Sequence, residues 1–247
     1  MNTLTASLSR RAATLAAFFC LAQLASAEAI KPDQPVALCN GRDLTGWVPV
    51  AKEGPPPADT WQVVDGVIKC TGQPAGYIRT AARYRDYRLT VDWRWTGPAL
   101  VDAQGKPRNR NSGVLLHTQA PDAIWPRSLE AQLMETNAGD FYVIGGVETA
   151  EHARIVAAAV TAAGTDEKAL NSARNNRRTP KAQSSSEKPT GEWNTYDITC
   201  AGDTVIVRVN GVEQNRATGV TVREGHICLQ SEGAAIEFRN VRLEPLN

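Results

Sequence analysis

The sequence predicts an all-β fold built as two antiparallel sheets packed face to face, and three features of the chain point that way. From Val36 onward it is a series of short apolar or alternating runs broken by Gly, Asn, Asp and Pro, at the spacing of a sandwich or barrel. Asp65-Gly66 and Asn210-Gly211 each stand between β-branched runs. Such dipeptides tolerate positive φ and mark tight hairpin turns. Several runs also divide cleanly by parity, with apolar side chains at alternate positions and polar ones between them, as expected of a sheet with one covered face.

The candidate strands in order are Val36 to Cys39, Trp61 to Cys70, Gly76 to Thr80, Tyr87 to Trp95, Gly113 to Gln119, Ser128 to Thr136, Trp193 to Cys200, Thr204 to Val209, His226 to Ser231 and Ala235 to Leu243. Trp61 to Cys70 contains the first turn dipeptide and folds back on itself. In Tyr87 to Trp95, Leu89, Val91, Trp93 and Trp95 share one face as core, and Arg88, Thr90, Asp92 and Arg94 share the other. That polar face reads either as a solvated surface carrying weak ion pairs or, at Arg94, as one wall of a binding cleft. The tryptophans read mostly as core, Trp125 excepted, since it lies in a loop beside Pro126. A loop indole either stacks on a sugar face or plugs the sandwich edge.

The β pattern breaks between 145 and 191. Ala150 to Ala163 reads as one short helix, and the Asn-, Arg-, Lys- and Ser-rich stretch after it as a long loop. Arg174, Arg177, Arg178 and Lys181 make that loop basic, which suits a solvated surface or a lid over a cleft.

The first 27 residues read as a secretory leader: Arg10-Arg11, an apolar run from Ala12 to Leu24 too short to span a bilayer, and Ala25-Ser26-Ala27 as a cleavage site. Ser9-Arg10-Arg11 also resembles a twin-arginine start. The mature chain, 28 to 247, is then expected to be periplasmic or secreted, with no membrane span, as one large β domain with a full core. Formal net charge is +1 with both signs interspersed, so nothing in it favours nucleic acid or an anionic membrane as partner. Four cysteines follow the leader (Cys39, Cys70, Cys200, Cys228), and an oxidising compartment would allow disulfides among them, with three pairings open. Their spacing is not that of a zinc site. No phosphate loop and no GxSxG elbow occurs, so Ser/His/Asp catalysis has no support in the sequence.

Chemistry concentrates between Asn109 and Asn137. Alternation sets Glu130 and Gln132 on one face of their strand and Ala131 and Leu133 on the other. By the same rule His117 shares a face with Gly113 and Leu115, and pairing of the two strands would gather His117, Glu130 and Gln132 over one sheet surface. The sober alternative for His117, on a strand of leucines, is a satisfied core histidine. Glu130 is harder to dismiss, because a buried unpaired carboxylate is expensive.

The runs LCNGRDLTGW (38 to 47), WQVVDGVIKCTGQPAGYIRT (61 to 80), YRDYRLTVDWRW (84 to 95), NSGVLLH (111 to 117), WPRSLEAQL (125 to 133), GEWNTYDITCAGDTVIVRVNG (191 to 211) and ICLQSEGAAIEFRNVRLEPL (227 to 246) resemble the 3-keto-disaccharide hydrolase domain family across almost the whole mature chain. The resemblance implies a concanavalin A-like jelly roll, action on glycosides already oxidised at C3, and functional coupling to a separate sugar 3-dehydrogenase. Many members carry an aromatic residue where this chain has Cys39, a departure that would add a disulfide.

A ketone at C3 acidifies the C2 hydrogen, so one base can abstract it and the C1 substituent can leave by β-elimination, with water addition completing hydrolysis. The chemistry needs a base of near-neutral pKa, a donor or cation for the enolate oxygen and an acid for the leaving group. His117, Arg94 and Glu130 match these roles in type, with Gln132, Asn111, Gln230 and Trp125 as substrate contacts. Ordinary hydrolysis by two carboxylates is the alternative chemistry, and Glu232 is then the second acid, reaching in from another strand. No cofactor is expected; a divalent ion could sit beside a histidine, a carboxylate and amide oxygens, although no spacing demands one. A non-catalytic carbohydrate-binding module is the alternative function.

Overall fold

The computed structural model describes residues 28–246, so the leader expected over 1–27 lies outside the described residues. In chain order the strands are β1 (Val36–Ala37), β2 (Trp47–Ala51), β3 (Trp61–Val64), β4 (Val67–Cys70), β5 (Gly76–Thr80), β6 (Tyr84–Arg85) and β7 (Tyr87–Trp95). They continue with β8 (Leu100–Val101), β9 (Pro107–Arg108), β10 (Gly113–Thr118), β11 (Ser128–Gln132) and β12 (Phe141–Ile144). Two helices follow, α1 (Ala150–Ala163) and α2 (Glu167–Arg174). The last strands are β13 (Arg178–Thr179), β14 (Asn194–Ala201), β15 (Thr204–Val209), β16 (Val212–Ala217), β17 (Glu224–Ser231) and β18 (Ile236–Pro245).

Two large antiparallel sheets form, as the alternation predicts. One runs β16-β15-β14-β7-β18-β4-β3 with β1 against β18, and the other β13-β12-β11-β10-β17-β5-β2 with β6 against β17. The turn dipeptides make both expected hairpins: Asp65 and Asn210 hold φ of 51° and 50°, and the following glycines are also positive. Leu89, Val91, Trp93 and Trp95 all face the core between the sheets, where Trp93 packs on Tyr196 with ring centroids 4.8 Å apart.

The insertion is more ordered than its composition suggests. α1 covers the expected span, capped by Thr149, whose Oγ1 accepts from His152 N at 3.1 Å. A second helix, α2, occupies what the sequence presents as loop, starting at Asp166, which accepts from Ala169 N, and burying Leu170 and Ala173. Its acidic first turn and Arg174 in the last turn also favour helix through the macrodipole. The Glu151 carboxylate accepts from the N–H and the hydroxyl of Thr218, tying α1 to the end of β16, while α1 also packs on β13. The helical pair therefore closes one side of the sandwich.

These four cysteines are free thiols, so none of the disulfides the sequence allows is formed, the extra one at Cys39 included. Cys70 and Cys200 lie in one sheet with β18 and β7 between their strands. Cys228 sits on β17 of the other sheet, outside the main core beside Tyr77 and Leu115. Cys39 uses its sulfur to accept from Gly41 N. Among the described residues no helix is long and apolar enough to cross a membrane.

Candidate active site

The outward face of the second sheet carries the cleft. On β11, Leu129 and Ala131 enter the core while Glu130 and Gln132 point away from it, as parity predicts. Asn111, Trp125, Met134, Tyr142, Ile144, Arg177 and Glu232 join Glu130 and Gln132 around a cavity of about 210 Å³. Asn111 enters from the chain before β10, and Glu232 follows β17. Tyr142 stands directly opposite Glu130 across the β11–β12 pair. Trp125 is 44% exposed at the rim, on a loop held down by Asp122, which receives two hydrogen bonds from Arg79 at 2.8 and 3.0 Å, and by Tyr77 Oη donating to Ala123 O.

Glu130 is 5% exposed, and its Oε1 has no hydrogen-bond partner among the described residues. Burial pushes its carboxyl up to about 8, the Glu232 carboxylate adds to the rise, and the Arg177 guanidinium opposes it. Glu232 is raised to about 7 by burial, with the side chains of Asn111 and Gln230 holding it lower than burial alone would. Two carboxyl groups beside one cavity thus titrate near neutrality, the arrangement that lets one act as acid while the other is a base. Asn111 Oδ1 and Gln230 Oε1 are also buried without partners, an unusual concentration of open hydrogen-bonding capacity. Gln132 spends its Oε1 on the N–H groups of Leu133 and Met134, at 2.9 and 3.1 Å, so its amide NH2 is what it can offer a ligand.

Gly113 makes the cluster possible. A Cβ at this position would overlap Glu130 Oε1 and lie 3.0 Å from Gln230 Oε1, so the bare strand leaves the volume that the carboxyl occupies.

His117 and Arg94 are not in the cleft, which corrects the expected shared surface. The pairing of β10 with β17 advances from Leu115↔Cys228 to Thr118↔His226, three steps on one strand against two on the other. This is a β-bulge, and His117 takes the left-handed conformation with φ 54°. The extra residue reverses the alternation. Thr118 takes the outer position beside Cys228, sulfur to Oγ1 3.2 Å, and His117 turns into the interior against Tyr87, centroids 5.6 Å apart. Its Nδ1 donates to the Val222 carbonyl at 3.0 Å, and burial holds the ring at about 4, so it stays neutral. A Cβ at Gly225 would collide with the backbone of His117 and Thr118, so glycine there admits the bulge. Arg94 lies on β7 in the opposite sheet, bound to Glu237 at 2.7 Å and stacked on Trp193 at 4.6 Å. The polar parity of β7 is correct, but that face belongs to the far side of the molecule.

Of the other sequence candidates, Asn111, Trp125, Glu130, Gln132 and Glu232 line the cavity, and Gln230 adjoins it through Gly113 and Glu232. Tyr142 and Arg177 are not among those candidates. Tyr142 belongs to the short run FYVI, whose alternation (Phe141 and Val143 core, Tyr142 and Ile144 outward) is detectable. Arg177 lies in the basic stretch and has no ion-pair partner among the described residues. No cluster of three or more His, Cys, Asp or Glu side chains suited to a metal occurs among the described residues.

No curated protein sequence matches the chain. Among solved structures, a candidate glycosyl hydrolase from Parabacteroides distasonis superposes with a TM-score of 0.56 at 20% identity, covering 87% of this chain and 94% of that one. The carbohydrate-binding module CBM66 of Bacillus subtilis gives 0.50 at 13% identity over 81% and 95% of the two chains. The kappa-carrageenase of Pseudoalteromonas carrageenovora gives 0.50 at 11% identity over 85% and 92%. At these identities the likeness is one of fold, the jelly roll. The family model described as the 3-keto-alpha-glucoside-1,2-lyase-like domain matches residues 34–244, nearly all of the described chain, and the protein belongs to that family.

Proposed function

We propose that this cleft cleaves the glycosidic bond of 3-keto-glycosides, including 3-keto-disaccharides, by elimination across C1 and C2. The observation that carries the reading is Glu130: a buried carboxyl with an open oxygen, raised to about 8 beside a second carboxyl at about 7. In this scheme Glu232, the more readily ionised of the two, takes the C2 proton. The electron pair left at C2 delocalises into the C3 carbonyl as an enolate, whose negative oxygen suits the unpaired Arg177 guanidinium and the free amide donor of Gln132. Collapse of the enolate forms the C1=C2 double bond and breaks the bond from C1 to the leaving oxygen, which receives the Glu130 proton. The products are an unsaturated keto sugar and a free alcohol. Where water then adds, hydroxyl at C1 and hydrogen at C2, the sum is hydrolysis.

The roles first read onto His117 and Arg94 thus pass to Glu232 and Arg177, which meet the same chemical needs from inside the cavity. A volume of about 210 Å³, small against ligand pockets of roughly 300 Å³ and above, suits one oxidised sugar ring with Trp125 at its edge. The substrate would come from a sugar 3-dehydrogenase, and the leader would place both steps outside the cytoplasm.

The test is turnover of 3-keto-trehalose and 3-ketosucrose beside the unoxidised sugars, followed by mass spectrometry. Only the ketosugars should be cleaved, with Glu130→Gln and Glu232→Gln inactive. In D2O the hydrated product should carry deuterium at C2 beyond an enzyme-free control, whereas direct displacement leaves C2 unlabelled. Saturable sugar binding with no product would instead support a binding module.

A further inference from the structure

We infer that Tyr142 is a further catalytic residue, its hydroxyl donating to the C3 oxygen as that oxygen takes up the enolate charge. This rests on the reaction proposed above and gives a role to a group that the scheme leaves out.

Tyr142 stands directly opposite Glu130 across the β11–β12 pair and lines the same cavity. Its ring is half-buried, and no hydrogen bond engages its hydroxyl among the described residues. Across the β12–β13 pair its neighbour is Arg178, already held by Asp140 at 2.6 Å. The phenol is therefore left to the cavity. Burial raises it above the ordinary phenol value, with Arg178 opposing, so it is a neutral donor near neutral pH.

The cavity is polarised, and that decides where an enolate oxygen can lie. Asn111 and Gln230 both turn their amide donors to the Glu232 carboxyl, which leaves Asn111 Oδ1 and Gln230 Oε1 as open acceptors on that flank. A negative oxygen there would meet only other oxygens. On the other flank Gln132 has spent its Oε1 on the N–H groups of Leu133 and Met134, so its NH2 alone is open. Arg177 can only donate, and Tyr142 adds its O–H. These donors come from β11, β12 and the residue before β13, and the acceptors from β17 and the chain before β10, so the sheet order itself keeps them apart. A ketone oxygen carries no proton and is paired only where donors converge.

The probe is 1,5-anhydro-3-keto-glucitol, a ketosugar with hydrogen in place of the leaving group. In D2O the base takes the C2 proton, the electron pair moves into the C3 carbonyl, and return of a deuteron to C2 restores the ketone. NMR reads that label, and kcat on 3-keto-trehalose is measured beside it. Tyr142→Phe keeps the ring and removes a hydroxyl that bonds to nothing in the fold, so circular dichroism and the denaturation midpoint should match the parent. The variant should lose about a hundredfold in both kcat and exchange, with KM within about threefold, the usual cost of removing one oxyanion donor. Phenylalanine serves as well as tyrosine if the ring is only a wall, so a kcat within about threefold of the parent overturns the inference and leaves the reaction standing. A loss confined to KM also overturns it, and so does a kcat loss with exchange intact, which places the hydroxyl at the leaving oxygen. A parent that neither exchanges nor cleaves overturns the reaction and the inference together.

Discussion

Replacing Glu130 by Gln should inactivate the protein and stabilise it, and the stabilisation should grow with pH. Burial sets the folded carboxyl at about 8 against an ordinary value of 4.5. A carboxyl whose folded pKa is raised contributes stability that is fully present below 4.5 and is lost as pH rises from there toward 8, because the unfolded chain releases a proton that the folded one retains. At pH 7 the unfolded group is about two and a half pH units past its midpoint, so the loss is about 3 kcal/mol at 1.36 kcal/mol per unit. Gln has the same shape and no charge, so it removes this loss. For a chain of this length the gain corresponds to a Tm higher by about 6 to 12 °C at pH 7, shrinking toward zero near pH 4.5. Calorimetric scans of both proteins from pH 4.5 to 8 measure it, and the difference isolates Glu130 from the other titrating groups. Turnover of a 3-keto-disaccharide should fall by at least about a hundredfold, the usual worth of a positioned acid. A Tm difference that ignores pH, or a Gln variant less stable at pH 7, would refute the claim that the carboxyl is held desolvated in the cleft.

Turnover should follow a bell between about 7, where Glu232 ionises, and about 8, where Glu130 does, and Arg177→Ala should move the alkaline limb upward because the guanidinium holds Glu130 down; a pH–rate profile checks both. Gly113→Ala should lower kcat about a hundredfold through displacement of the Glu130 carboxyl, with circular dichroism unchanged, since a misplacement of about 1 Å has that effect. His117→Ala should destabilise the fold by about 2 to 4 kcal/mol in denaturant titration while folded protein keeps its kcat, since the ring is an interior contact of Tyr87. Arg94→Ala should alter stability by less than about 1 kcal/mol and leave turnover intact, its ion pair with Glu237 being partly exposed.

The sandwich was legible because its signals are local. Parity along β7 and β11 separates core from surface, and Asp65-Gly66 and Asn210-Gly211 announce their turns through backbone conformation alone. The site was legible where parity held, at Glu130 and Gln132. It was misread at His117 because a bulge depends on two strands at once: the registers of β10 and β17 differ by one residue, and nothing within NSGVLLH states it. Gly225, more than a hundred residues away, supplies the room for that bulge. Arg94 was misread for a related reason, because parity tells which residues share a face but not which of two sheets that face belongs to. Arg177 was visible as charge, and only the fold of α1 and α2 brings it to Glu130.

The bulge also explains why the cleft can rely on carboxyls. Had alternation continued, an imidazole would lie on the outer face beside Leu115, close to the row that runs from Tyr142 through Glu130. A cationic ring there would hold Glu130 ionised, as opposite charges do at short range. Turning His117 inward leaves apolar Leu115 and Cys228 beside Glu130 in that row, which runs on to Arg79, already paired with Asp122, and leaves Arg177 as the one cation lining the cavity among the described residues. Glu130 then stays protonated near neutrality. Placing a cation directly opposite Glu130, as in Leu115→His, should pull the alkaline limb of the rate profile below about 8 and lower turnover at pH 7.5, and a profile that does not move would separate the bulge from the chemistry.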